Sequence, residues 1–362
     1  MSRPRLLFLA TREPTYSRVA IVRRALESRF EVISILSSAS SYAARIAQVL
    51  WRFLITPGDR YDAIFLCFFA QPIFPLVRLL SRKPIISDCY ISLYDSFIKD
   101  RKHVSEKHPL AWLCLWLDRQ MIKHSTALIT DTAAHADYLS HLVPPPGPRI
   151  RPVWVSAEQE IFRPLGPVPP TTGEAELRVL FFGAFIPLQG VEVIIRAAAL
   201  LRETSIRFDL VGAGQTLAAC QELDSDLGNT NTVFHPWKRP EELVALASVS
   251  QLILGIFGGS QKTARVIPNK VFASLAMARP VLTGDSPAIR ELLTPGHDVL
   301  TCEMADAQSL AEAIQWCSLH LKELGEIAQN GWETFNEKAS PAIVAGLLED
   351  AIMGALRPTV PG

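Results

Sequence analysis

One rhythm constrains this chain more than any other feature. Short, unbroken apolar runs alternate with helical patterns from end to end. RLLFLA (5–10), EVISIL (31–36), AIFLCF (63–68), PIIS (84–87) and ALIT (127–130) read as strands. VAIVRRALESR (19–29), SYAARIAQVLWRFL (41–54), LAWLCLWLDRQMIKHS (110–125) and AAHADYLSHL (133–142) read as helices. A strand with one wet face alternates apolar and polar residues. A strand that is apolar throughout must be covered on both sides, as in a parallel sheet between helix layers. Strand–helix–strand in this order therefore predicts βαβ units.

Proline then clusters twice, as PPPGP (144–148) and PLGPVPP (164–170), the second followed by TTGEAE. The rhythm restarts beyond it. RVLFFG (178–183), RFDLVG (207–212), TVFHP (232–236), LILGIF (252–257) and PVLTGD (280–285) read as strands. VEVIIRAAALLRE (191–203), PEELVALASVS (240–250) and VFASLAMA (271–278) read as helices, and the tail is helical. The expectation is an α/β protein of two facing doubly wound, Rossmann-like domains. Residues 1–165 form the first and 166–340 the second, with 341–362 a final helix packing back toward the first. Ligands of such sheets bind beyond the carboxyl ends of the strands, so the crevice between the domains is the expected site.

Composition fits. The chain has 362 residues, 49% of them hydrophobic, enough for two cores. Residues 1–165 hold 22 Lys+Arg against 14 Asp+Glu, and the remainder holds 14 against 22. A basic first half suits an anionic partner. Nothing in the pattern calls for nucleic acid. The six cysteines form no CxxC pair and sit mostly in apolar runs, which reads as reduced thiols in a cytoplasmic protein rather than disulfides or a zinc site. The uncharged run of residues 63–77 is broken by Gln71, Pro72 and Pro75 and is shorter than the ~20 residues a spanning helix needs. In SYAARIAQVLWRFL, Tyr42, Ile46, Val49, Leu50 and Phe53 make an apolar stripe. It packs on a sheet or rests on a membrane surface.

In the second half, glycines and cations follow the strands. FFGAFIPLQG supplies Gly183, Gln189 and Gly190. LVGAGQ supplies Gly212 and Gly214. GIFGGSQKTARVIPNK supplies Gly258, Gly259, Lys262, Arg265, Asn269 and Lys270. Loops there present amides, helix N-termini and ammonium groups to an anion. Lys270 lies in the first turn of its helix, where a cation is unfavourable against the dipole unless an anion shares the site. Asp224-Ser225-Asp226 reads as a solvated polar turn rather than a metal pair, and no metal site is expected.

In the first half, DCYISLYDSFIKDRK (88–102) places Asp88, Asp95, Asp100 and Arg101 after a strand. Asp88 and Asp95 are candidate bases for an acceptor hydroxyl, as is His135 in ITDTAAHADYL. Helix capping and a local Asp–Arg pair explain the same carboxylates. Arg12 and Arg18, in the first loop, are candidates for meeting an anionic acceptor.

The order GAFIPLQG, LVGAGQ, FHPWKRPEEL, LILGIFGGSQKTARVIPNKVFASLAMARPVLTGD resembles the C-terminal domain of GT-B glycosyltransferases of the family 4 type. VSAEQEIFRP (155–164) resembles that family's lead-in to its interdomain linker. The resemblance implies a nucleotide-diphosphate sugar held by the second domain, with Gly183 and Gly190 lining the first loop and Lys270 touching the diphosphate. It implies acceptor contacts from the first domain, a saccharide or lipid-linked acceptor, surface-polysaccharide assembly, retention at the anomeric carbon and no metal or other cofactor. Two departures stand out. Ala184 and Gln189 occupy places where many members carry Arg and Lys, and Arg265 and Ala273 occupy those of two glutamates. A catalytically silent binding subunit and a nucleotide-sugar epimerase remain alternative readings.

Overall fold

The computed structural model describes residues 3–145, 147, 149–171 and 177–357. The TGEAE of the linker reading and two prolines of PPPGP lie outside them. In chain order the first sheet-forming region contains β1 (Arg5–Leu9), α1 (Ser17–Glu27), β2 (Glu31–Ile35), α2 (Tyr42–Ile55), β3 (Ala63–Leu66), α3 (Phe74–Leu80), β4 (Ile85–Asp88), α4 (Pro109–His124), β5 (Ala127–Thr130), α5 (Ala133–Ser140) and β6 (Arg149–Pro152). A π-helical segment, Tyr94–Asp100, lies between β4 and α4. The second contains β7 (Leu177–Ala184), α6 (Val191–Leu200), β8 (Ile206–Ala213), α7 (Leu217–Asp226), β9 (Thr232–His235), α8 (Pro240–Val249), β10 (Leu252–Leu254), α9 (Asn269–Ala276), β11 (Val281–Gly284), α10 (Pro287–Leu292), β12 (Leu300–Cys302), α11 (Ala307–Leu319) and α12 (Leu321–Thr334). α13 (Pro341–Leu356) follows.

Each region is a six-stranded sheet, ordered β2-β1-β3-β4-β5-β6 and β12-β11-β10-β7-β8-β9. Every strand pairing is parallel. The inner strands β3, β4, β5, β10 and β11 are buried on both faces, as their continuous hydrophobicity requires, whereas the edge strands β2, β6 and β9 are partly exposed. Along β1, Leu6 and Phe8 point into a core cluster shared with α1 and α13. Leu7 and Leu9 point into a second cluster, with Val49 and Phe53 of α2, Phe74 and Val77 of α3, and Met121 and Ile122 of α4. The α2 stripe read from the sequence thus packs on the sheet.

The chain divides into two compact units, Met1–Val155 with Pro341–Gly362, and Ser156–Ser340. The division precedes the proline-rich stretch rather than falling after residue 165. Phe162 and Leu165 pack on the second unit's cluster around Leu180 and Ile253, and the Leu165 amide donates to Met277 O at 3.1 Å. α13 packs on α1 through Val344, Leu348 and Ile352. Residues Leu321–Leu356 are the one helical stretch among the described residues long and apolar enough to cross a membrane, but these three side chains belong to a core.

Some elements differ from the reading of the sequence. β6 and β12 are short and carry polar residues, α3 starts at a Phe-Pro step, and none of the three was expected. Asp224 and Asp226 end α7 rather than forming a turn. Asp224 accepts from Asn229 Nδ2 at 2.7 Å and Thr232 Oγ1 at 2.8 Å.

Candidate functional site

In the second unit the candidate residues stand where β7, β8 and β10 end. Gly190 is the N-cap of α6 with φ of 64°, and a Cβ there would lie 2.4 Å from Gly258 N. That approach locks the β7 loop, residues 185–190, against Phe257 and Gly258; the Phe257 amide donates to Gln189 O at 3.0 Å. Gly212 and Gly214 end β8 against Gly183 and Phe185, and Gly259 lies beside Ala305. These glycines therefore let loop pack on loop, a role separate from any approach to phosphate.

Lys270, at the start of α9, turns inward. Its side chain is 5% exposed. Nζ donates to Gly255 O at 3.1 Å and lies 3.5 Å from the centroid of the Phe181 ring. Burial pushes its pKa well below the usual lysine value. A Cβ on Gly183 would be 3.1 Å from Nζ and 3.4 Å from Gln189 Oε1. That oxygen is buried with no hydrogen-bond partner among the described residues. A buried ammonium held by one carbonyl and an aromatic face is poorly compensated, because its desolvation exceeds what such neutral contacts return. An anion beside Gly183 would supply the missing charge.

Lys262 is buried before a 3₁₀ turn at Thr263–Arg265, Arg265 is half-buried, and Asn269 opens α9. Each of the three makes polar contacts of its own. Ala273 lies in the core cluster with Leu180 and Val211. Thr283, which the sequence did not single out, holds the β10 loop by accepting from Ile256 N at 3.1 Å.

In the first unit the candidates separate. Arg18 and Asp88 form a fully buried pair, Nε to Oδ2 and Nη2 to Oδ1 both 3.0 Å, and Arg18 Nη1 also donates to Trp154 O at 3.3 Å. Their charges are spent on each other, so neither is open to a substrate; this corrects the sequence reading of both. Asp95 and Asp100 lie on the buried side of the Tyr94–Asp100 segment. The Asp95 amide donates to Ser92 Oγ at 3.0 Å.

Asp118, on α4, organises that segment and was missed. It accepts from Ser92 Oγ at 2.7 Å, Leu93 N at 3.0 Å and Tyr94 N at 2.9 Å. Burial nonetheless pushes its pKa up to about 6. His135 is buried just beyond the end of β5. Its Nδ1 is 2.7 Å from Asp131 Oδ1 and 3.0 Å from Thr130 Oγ1, and its amide donates to the Thr132 cap at 3.0 Å. The imidazole is thus held in one orientation by a carboxylate four residues earlier, the arrangement of a positioned acid–base group. Arg12 lies 5.1 Å over the Tyr16 ring and 5.9 Å over Phe69, and Arg101 lies 5.4 Å over Phe97. Phe69 and Phe97 meet edge to face at 5.8 Å. The two arginines therefore rest on one aromatic cluster.

Residues 176–319 match the family described as glycosyl transferases group 1. A search of curated proteins finds no match. Among solved structures, sucrose-phosphate synthase from Thermosynechococcus elongatus superposes with a TM-score of 0.76 at 15% identity, covering 98% of this chain and 100% of that one. HepE from Anabaena, in complex with UDP-glucose, gives 0.73 at 13% identity over 97% and 100%. WaaG, a glycosyltransferase involved in lipopolysaccharide biosynthesis, gives 0.67 at 13% over 97% and 100%. At such identities the likeness is one of fold. Residues 176–319, within the second unit, thus match the group 1 glycosyl transferase model, and the chain shares the GT-B fold of these solved structures.

Proposed function

We propose that the protein transfers a sugar from a nucleotide-diphosphate donor to a saccharide or lipid-linked acceptor in glycan assembly. The observation that carries this reading is Lys270. It is a buried cation with no carboxylate partner among the described residues, beside Gly183 and Gln189 in the segment that matches the group 1 model. Charge grows on the diphosphate oxygens as the glycosidic bond to the donor breaks. Lys270, the first-turn amides of α9 and the β7 loop are the groups that answer it. Retention at the anomeric carbon and a reaction without metal or other cofactor belong to the same proposal. On the first unit, Arg12, Arg101 and the Asp131–His135 pair are the acceptor-side candidates. The six cysteines, all buried and free, suit a cytoplasmic setting.

A second reading has its own observation. Arg265 and Ala273 leave two positions without carboxylates, and Ala273 is closed into a core. A silent homologue that binds donor without turnover follows from that. Incubation of the purified chain with UDP- and GDP-sugars, with and without saccharide acceptors, separates the readings. Transfer supports the enzyme, ligand-raised melting temperature without turnover supports the binding subunit, and acceptor-independent change of the sugar would show an epimerase. No shift and no turnover with any nucleotide sugar would overturn both of the first two.

A further inference from the structure

Helices α2, α3 and α4 cover the same face of the first unit's sheet through one core cluster, and α3 touches α4. Their outward sides are not polar. Trp51 is 64% exposed, with Leu54 and Ile55 beside it on α2. Leu79 is 81% exposed and adjoins Leu80 on α3. Trp112 is 70% exposed, with Leu113 and Trp116 also exposed on α4. The opposite face, covered by α1 and α13, shows Ile343 as its single exposed large hydrophobic residue among those described. In the second unit, Trp316 and Leu319 share α11, and the other exposed large hydrophobic residues, Leu200, Val233, Trp237 and Val249, lie on separate elements. Three exposed tryptophans on two helices that share one core cluster exceed the single apolar residues that any surface carries.

Charge decides what covers this face. Residues 42–124 contain 12 Lys+Arg and 7 Asp+Glu. Four of the seven carboxylates, Asp88, Asp95, Asp100 and Asp118, are buried. Arg52, Arg82, Lys107, Arg119 and Lys123 are exposed on or beside the three helices. None of these five forms an ion pair among the described residues. A second copy of this face would bring like charges together, and a neutral partner would leave them uncompensated. An anionic lipid surface satisfies both components. Indole rings settle at the boundary of headgroup and acyl chain, aliphatic side chains enter it, and Lys and Arg reach the lipid phosphates.

We infer that the α2–α3–α4 face docks the protein on an anionic membrane, with Trp51, Trp112 and Trp116 as its inserted anchors. The inference stands on this surface alone and holds whether or not sugar transfer is the activity. The test is co-sedimentation of the full chain with phosphatidylcholine vesicles, with and without phosphatidylglycerol. Binding is expected with the anionic lipid, with a blue shift of tryptophan emission. Trp51→Ser/Trp112→Ser/Trp116→Ser should bind at least roughly tenfold more weakly, with an unchanged melting temperature. Arg52→Glu and Lys123→Glu should each cost roughly fivefold or more, and less at high salt. The inference is overturned if the chain ignores anionic vesicles or if the triple variant binds as well as the parent. It is also overturned if the parent is a dimer in solution that the same substitutions dissociate.

Discussion

Each unit buries a basic side chain near the carboxyl ends of its strands, and the two are treated in opposite ways. Arg18 meets Asp88 in a two-bond, fully enclosed pair. Lys270 meets a carbonyl and the face of Phe181, with no carboxylate among the described residues. A buried cation with its counter-charge is a closed account, whose removal leaves an orphan charge. A buried cation without one is held at a cost that an arriving anion relieves. The difference teaches which of two similar-looking basic residues belongs to the fold and which to a ligand.

The sharpest way to break this contrast is to cut the closed pair. Asp88→Ala should destabilise the protein by about 3–5 kcal/mol, because Arg18 is left charged and dry. Denaturant unfolding measures it, and a loss below about 1 kcal/mol would mean the pair is not the structural element described.

Asp118 tests burial in the first unit from the acidic side. Its folded pKa, about 6, lies above the ordinary aspartate value near 3.9. The folded state therefore holds the proton more tightly than the unfolded state between those limits. Its contribution is fully present below about pH 4 and is lost as pH rises through about 6, by up to about 3 kcal/mol. Stability measured from pH 4 to 7 should show that slope in the parent, and Asp118→Asn should flatten it. An equal slope in the variant would assign the dependence to other groups.

Lys270 should behave in reverse to Asp88. Lys270→Met is expected to leave ligand-free stability within about 1 kcal/mol of the parent, because an uncompensated charge goes with it. Affinity for a nucleoside diphosphate should fall by about 1–3 kcal/mol, read by calorimetry. The lowered pKa adds a sign: an anion favours the ammonium form over the neutral amine, so binding is coupled to proton uptake wherever the free lysine titrates, and weakens as pH rises through that range. Titrations in buffers of different ionisation enthalpy report that uptake. Zero uptake with undiminished affinity in Lys270→Met would remove this lysine from the site. The smallest expected effect is that of Gln189→Leu. It should lower the same affinity by about 0.5–1.5 kcal/mol while leaving stability unchanged or slightly raised, as scanning fluorimetry would show.

Much of this architecture was legible in the sequence because parallel strands announce themselves by continuous hydrophobicity. The run ALIT coincides with β5, and RVLFFG falls within β7. β6 was not legible, since Arg149–Pro152 is an edge strand with a single apolar side chain, Ile150, between arginines beside a proline cluster. Lys270 was visible because a cation at a helix start contradicts the dipole. Arg18 and Asp88 were visible as charges but not as a pair. They are 70 residues apart, and only the pairing of β1 with β3 and β3 with β4 brings them together. Asp118 was hidden for the same reason. It sits in an apolar helix, and its partners, Ser92 to Tyr94, lie across a loop.

The return of α13 to the first unit has a consequence for biosynthesis. Val344, Leu348 and Ile352 fill the layer that also holds Leu6, Phe8 and Val19. A ribosome delivers them only after the whole second sheet has emerged. Until then the earliest-made half carries an open apolar seam on the α1 side, and the nascent chain depends on the second half finishing promptly, or on a chaperone, to keep that seam from finding another partner.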